Sequence, residues 1–277
     1  MPKIEDLSAP EALPNGKVVW RSGAGVALLT LTNPKANGYS YEMMRDLDEA
    51  ILRARFDREI EVIVIAGAGE KFFCAGADIG MLDRVEPNFK YAFCLHANET
   101  LLRLEHTPKL VVAALGGHCV GGGLEIALAC DLRWARRGSG KCGLPEVALG
   151  VLPGTGGTQR LARLLGKSTS IRMMASGELV DYDAAHGLGL VDELFEADDD
   201  SSFLAEVLER VGAFLRPGTS STAIGMIKRA VQTGAEVPLE AGLALERELQ
   251  ARLFASEDAK EGLAAFTQSR KPNFTGR

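Results

Sequence analysis

Two apolar runs restrict the folds open to this chain more than anything else in it. Glu61 to Ala66 reads EVIVIA and Leu110 to Leu115 reads LVVAAL. Neither alternates polar with apolar side chains, so a strand formed by either must be covered on both faces. A doubly covered strand belongs to a mainly parallel sheet with helices packed against it. The surrounding sequence supplies those helices. Tyr41 to Arg55 sets Met44, Leu47, Ile51 and Leu52 at helical spacing, with acidic residues early and arginines late, as the helix dipole favours. Tyr91 to Leu104 and Gly122 to Cys130 are further helices, and Gly25 to Leu31 (GVALLTL) and Leu132 to Ala135 are further strands. The expected class is α/β, with no exact sequence repeat behind the alternation.

The strand signal fades beyond Asp192. Phe203, Leu204, Val207, Leu208, Val211 and Phe214 form one helical stripe, Ile224, Ile227 and Val231 another, and Leu245, Leu249 and Leu253 a third. Asp258, three residues before Glu261, has the form of a capping signal for a last helix through Phe266. The expected organisation is a core over residues 1–195, with residues 1–16 a polar leader, and a C-terminal helical region over 196–277 that begins at the acidic run Glu196 to Asp200. A chain of 277 residues, 46% hydrophobic and 25% charged, can bury a full core.

Charge excludes several partners. The net charge of -6 gives no field for holding nucleic acid or anionic lipid. No run approaches the roughly eighteen apolar residues of a membrane span, and the acidic start resembles neither a signal nor a transit peptide, so the expected location is cytoplasmic. Cys74, Cys94, Cys119, Cys130 and Cys142 show no metal-site or redox-pair spacing, so reduced, mostly buried thiols and no metal are expected.

The chemistry-bearing residues fall in three segments. Lys109 to Asp131 carries a strand into Gly121, Gly122 and Gly123 and then into a helix with Glu125 in its first turn. N–H groups at such a helix start are unpaired and can face developing negative charge, while glycines admit a ligand close to the backbone. Lys71 to Ile79 (KFFCAGADI) places a small-residue turn directly after a strand, a second place for an N–H to face a ligand. Lys141 to Arg160 holds Glu146 after Pro145 and a Pro-Gly-Thr-Gly-Gly turn at 153–157. Considered alone, Glu125 is a dipole-complementing residue and Glu146 a solvated loop residue; only in company do they read as a catalytic pair. His118 and Cys119 read as packed or hydrogen-bonded, and the other histidines lack ligand spacing. Neither Gly116 to Gly123 nor Gly150 to Gly157 contains a G-x-G-x-x-G, the phosphate-loop glycine is missing at Leu161 ahead of Gly166-Lys167-Ser168, and there is no G-x-S-x-G.

Taken together, FFCAGADI, VGGGLEIALACD, LPEVALGVLPGTGGTQRL and the terminal RKPNF resemble the crotonase (enoyl-CoA hydratase/isomerase) superfamily, over a stretch from about Val18 to Phe274. The resemblance implies a spiral of strand–strand–helix turns with a C-terminal helical region that trimerises, giving a homotrimer or a dimer of trimers. It implies an acyl-CoA thioester substrate and no cofactor beyond the coenzyme A carried by that substrate. Position by position, the oxyanion hole falls on Ala77 and Gly122 and the catalytic carboxylates on Glu125 and Glu146. Substrate and coenzyme A contacts fall on Lys35, Ala36, Asn37, Ala75, Gly76, Asp78, Ile79, Gly121, Gly154, Phe266 and Lys271. The presence of both glutamates favours 2-enoyl-CoA hydration over double-bond isomerisation or thioester hydrolysis, and over a non-catalytic CoA-thioester or RNA-binding role. Two departures bear on the acyl group: the loop at 36–41 reads ANGYSY where relatives are more aliphatic, so Tyr39 or Tyr41 is expected to shape the acyl pocket, and Gly80 stands where relatives often carry lysine. Gly123→Ala is expected to be milder than Gly122→Pro, because alanine retains an N–H.

Overall fold

Val62 to Ala66 are all buried, and the strand they form lies at the middle of a seven-stranded sheet. The computed structural model describes residues 1–277. In chain order its strands are β1 (Glu11–Ala12), β2 (Val18–Gly23), β3 (Val26–Leu31), β4 (Val62–Gly67), β5 (Phe72–Cys74), β6 (Leu110–Leu115), β7 (His118–Val120), β8 (Leu132–Arg136), β9 (Lys141–Gly143), β10 (Val180–Asp181) and β11 (Glu193–Phe195). The helices are α1 (Tyr41–Phe56), α2 (Ile79–Arg84), α3 (Pro87–Glu105), α4 (Gly122–Leu128), α5 (Gly157–Leu165), α6 (Lys167–Ser176), α7 (Tyr182–Gly187), α8 (Asp200–Val211), α9 (Ser221–Gly234), α10 (Leu239–Phe254) and α11 (Glu257–Thr267).

The large sheet runs β1-β2-β3-β4-β6-β8-β11, antiparallel across its first three strands and parallel from β3 onward. Its central strands feed two separate cores. Ala27, Leu29, Leu31, Ile63, Ile65, Val111, Ala113 and Leu115 face one, with α1, α3 and α4; Val26, Leu28, Val62, Val64, Val112 and Ala114 face the other. The second core is closed by Phe203, Val207, Leu208 and Val211 of α8 against Trp134 and Phe195, so the first of the three C-terminal stripes lies against the sheet itself. This two-sided burial is why the two runs carry no polar alternation.

A smaller sheet, ordered β10-β9-β7-β5, stands beside α4, and β9, β7 and β5 are mutually parallel in it. Its strands are two or three residues long, and sequence periodicity gives no sign of them. Residues 1–16 are tied to the core. Leu7 and Leu13 are buried, β1 pairs with β2, and the buried Asp46 of α1 accepts hydrogen bonds from the Asn15 and Lys17 N–H groups at 3.0 and 2.8 Å.

On the C-terminal side, the buried Lys228 of α9 places its ammonium 2.8 Å from Asp131 Oδ2 and donates to the Lys109 carbonyl at 3.0 Å. The N-cap of α11 is Ser256, whose hydroxyl accepts from the Ala259 N–H, and not the expected Asp258. The Asp258 carboxylate instead accepts from the Ser220 hydroxyl and the Thr275 and Gly276 N–H groups, so it closes the tail over α9. No helix is long and apolar enough to cross a membrane.

Candidate active site

The three parallel strands of the small sheet end side by side, and each leads into one of the chemistry-bearing segments. β5 runs into Ala75-Gly76-Ala77, β7 into Gly121-Gly122 and α4, and β9 into Leu144-Pro145-Glu146. The carboxyl edge of a parallel sheet is the usual place for a ligand, because the chain must leave the plane there and exposes backbone as it turns. Ala75, Gly76, Ala77, Ile79, Gly121, Gly122, Glu125, Glu146 and Gly154 all line one cavity of about 450 Å³, with Tyr39, Leu82, Phe93, Cys94 and Leu152 among its other walls.

The backbone of this cavity is held open in a particular way. A Cβ added to Gly76 would stand 3.2 Å from the Gly122 nitrogen, which shows how closely the two loops approach. Gly76 at φ +89° and Gly121 at φ +57° occupy backbone regions that side chains disfavour. Neither the Ala77 N–H nor the Gly122 N–H donates to another protein group. Gly122 is the first residue of α4, where helix geometry leaves N–H groups without partners. Packing adds a steric cost to both substitutions considered at the triple glycine: a Cβ on Gly123 would overlap the Cys74 carbonyl, and one on Gly122 would overlap the ring of Tyr39.

The two glutamates live in different surroundings. Glu125, 1% exposed, has both carboxylate oxygens engaged. Oε1 accepts from the Thr155 and Gly157 N–H groups, each at 2.8 Å, and Oε2 accepts from the Thr155 hydroxyl. The turn that supplies these donors is itself held, since Arg160 donates to the Thr155 carbonyl at 3.0 Å while forking onto Glu105 of α3 at 2.8 and 2.7 Å. Glu146 opens a 3₁₀ turn over Glu146–Leu149 and lies against Gly121, and its buried Oε2 has no hydrogen-bond partner. Burial pushes the Glu146 carboxyl up to about 7, with the nearby Glu125 charge adding in the same direction. One carboxylate is thus built as an acceptor for fixed donors, and the other is left to titrate near neutrality.

Six expected site residues lie off the cavity. Lys35, Ala36 and Asn37 border a separate shallow hollow of about 340 Å³, where the Asn37 side chain donates to the Ala68 and Phe72 carbonyls at 2.9 and 2.8 Å. The Asn37 side chain therefore ties its loop to the β4–β5 connection. Ala36 accepts from the Ala75 N–H at 3.0 Å, which fastens that loop to the site. The Asp78 carboxylate caps α2 by accepting from the Met81 N–H at 3.0 Å. Phe266, 87% exposed, and Lys271 border neither hollow. A larger hollow of about 560 Å³ lies between the end of α1, α9 and the tail, but its walls are mostly charged groups, of which Arg216 is paired with Glu61 and Lys109 donates to the Ala54 and Asp57 carbonyls. None of the expected site residues lines it.

Sequence reasoning missed Thr155, whose only signal was its place inside the glycine turn, and Lys90, which lines the cavity from the first turn of α3. His118 accepts from the Lys141 N–H at 3.0 Å through Nδ1, the hydrogen-bonded role expected of it. Cys74, Cys119, Cys130 and Cys142 are buried free thiols, pushed up by burial, while Cys94 is only part-buried and lines the cavity.

A spiral core of this kind, with two backbone loops and two carboxylates at one sheet edge, defines a crotonase-type scaffold. The sequence model of the enoyl-CoA hydratase/isomerase family matches residues 21–277. The chain is 32% identical over 255 residues to the short-chain-enoyl-CoA hydratase of Clostridium acetobutylicum, covering 92% of this chain and 95% of that one. It is 37% identical over 253 residues to the 2,3-dehydroadipyl-CoA hydratase of Escherichia coli, covering 91% and 96%. A solved enoyl-CoA hydratase structure from Geobacillus kaustophilus matches with a TM-score of 0.89 at 43% identity, covering 94% of this chain and 97% of that one. The chain belongs to the enoyl-CoA hydratase/isomerase family.

Proposed function

We propose that the protein adds water across the 2,3 double bond of an enoyl-CoA thioester. The observation that carries this reading is the convergence of Glu125 and Glu146 on one cavity edged by the unpaired Ala77 and Gly122 N–H groups. The thioester carbonyl oxygen takes both N–H donors, and the enolate-like charge that develops there strengthens those bonds in the transition state. Glu125 orients a water over the β-carbon and takes its proton. Glu146, carrying a proton near neutral pH, supplies the α-carbon. Two carboxyl groups in unlike environments divide acid from base work, which neither could do alone.

The reading needs no cofactor beyond the coenzyme A of the substrate. It places the nucleotide end near the 35–37 loop, with Phe266 and Lys271 reaching a neighbouring copy's ligand in a trimer or dimer of trimers. The exposed Ile227, Val231, Leu239 and Phe254 on the C-terminal helices support such burial between copies. Light scattering of the purified chain tests the assembly. The reaction is tested with a panel of 2-enoyl-CoA and 3-hydroxyacyl-CoA esters, followed by conjugated-thioester absorbance and mass analysis of products. Formation of 3-hydroxyacyl-CoA is expected. A 3-enoyl product or free coenzyme A, in place of the hydrated ester, would make the chain an isomerase or a thioester hydrolase.

A further inference from the structure

Tyr39 joins the loop of the Ala77 donor, Gly122 and the turn that holds Glu125. Its N–H donates to the Gly76 carbonyl and its own carbonyl accepts from the Asp78 N–H, both at 2.9 Å, which brackets the Ala77 donor in a one-residue parallel bridge. Its ring lies so close over Gly122 that any Cβ there would overlap it, and its other side meets Phe93 with centroids 5.5 Å apart. Its hydroxyl is 3.3 Å from Thr155 Oγ1, the atom that donates to Glu125 Oε2.

The directions of these bonds follow from the acceptor at their end. Glu125 already accepts two N–H donors on Oε1, so the Thr155 proton is the one aimed at Oε2, and the Thr155 oxygen is left to accept from Tyr39. The result is a chain of two hydroxyls, Tyr39 to Thr155 to Glu125, in which each bond polarises the next. All three side chains are buried, with Tyr39 5% and Thr155 2% exposed, so water does not replace a lost member freely.

We propose that Tyr39 is a positioning residue for this reaction: through Thr155 it fixes the Glu125 carboxylate, while its backbone and ring hold the two N–H donors at their spacing. The inference rests on the hydratase reading above and adds to it a residue outside the two carboxylates and two donors. The Tyr39 hydroxyl is spent on Thr155, so its removal with the ring kept should lower turnover and leave substrate affinity nearly alone.

The test is a double-mutant cycle with Tyr39→Phe and Thr155→Val, both of which keep the side-chain shape. Tyr39→Phe should lower kcat about tenfold, the worth of one hydrogen bond, and Thr155→Val about a hundredfold, the worth of one to a charged acceptor. KM should stay within about twofold in each, since the interaction is not with substrate. The double variant should match Thr155→Val alone, because the tyrosine hydroxyl, the only group that Tyr39→Phe removes, acts through the threonine. Losses that multiply, a change confined to KM, or a Tyr39→Phe enzyme with normal kcat would each overturn the proposal. The same cycle run by denaturant unfolding needs no substrate: non-additive destabilisation is expected there too, and simple additivity would sink the hydroxyl chain even if the wild-type protein hydrated nothing. Absence of hydration by the wild-type chain, by contrast, would count against the hydratase reading.

Discussion

The two sheets do opposite work with opposite materials. The large sheet is held by side chains: β3, β4 and β6 bury aliphatic groups on both faces, and nothing in them touches the cavity. The small sheet adds only a few buried side chains, Phe73, Cys74, Cys119 and Cys142 among them, and the cavity takes its shape from the loops at its edge, where glycines bring chain against chain. A protein can vary side chains in the first kind of region and compensate by repacking. In the second kind there is little to repack, so structure and chemistry are changed by the same substitutions.

The sharpest way to separate the two regions is to remove chemistry without removing volume. Glu146→Gln should lower turnover by about 10²- to 10⁴-fold, the usual contribution of a general acid or base, with an unfolding midpoint no lower than wild type because Oε2 has no protein partner to lose. Glu125→Gln should lose as much turnover and some stability, since an amide cannot accept from all three donors. Near-normal hydration by either purified variant would remove it from the catalytic pair.

Ile63→Ala in β4 is the converse case. It should cost about 2–5 kcal/mol in denaturant unfolding, through lost burial and the cavity left behind, while kcat per folded molecule stays near wild type. A large loss of kcat in the folded variant would mean that the large sheet sets the site geometry directly. Gly123→Ala should fall between the two. Its Cβ is forced against the Cys74 carbonyl, so a backbone shift of about 1–3 kcal/mol of strain is expected together with a measurable fall in turnover. Loss of stability with unchanged kcat would show that the small sheet yields without disturbing the donors.

The smallest effect is on pH dependence. Burial raises Glu146 from an ordinary 4.5 to about 7, so the neutral acid is favoured in the folded state. The stability this confers is fully present below about pH 4.5 and is lost as pH rises through about 7. Glu146→Gln removes that titration, so its unfolding midpoint should gain on wild type across this window, and wild-type turnover should fall above it as the acid ionises. Parallel pH profiles for the two proteins would place the titrating group elsewhere.

What could be read from sequence follows the same division. Runs such as EVIVIA and LVVAAL announce a large sheet because periodicity needs several residues to register, and β4 and β6 have six each. β5, β7 and β9 have three each, too few for any period to register. The site was legible only as motifs: Glu125 and Glu146 could be named, but their unlike surroundings depend on Thr155, Gly157 and Gly121, which meet them only in the fold. The Asn37 and Asp78 side chains serve a neighbouring loop and a helix cap, partners that only the fold supplies. Asp258 shows the limit of local capping rules, because a tertiary partner on α9 outcompeted its own helix.

The ion pair between the buried Lys228 and the part-buried Asp131 has an evolutionary side. Replacing either residue alone strands an unpaired charge in the interior, at a penalty of about 3–5 kcal/mol, whereas exchanging both for apolar groups of similar volume is nearly neutral. The route from one state to the other therefore passes through a valley that single substitutions cross with difficulty. Residues 131 and 228 are about a hundred positions apart in the chain, yet they form one unit of inheritance, and drift in the C-terminal helices is tied at this point to drift in the strand beneath them.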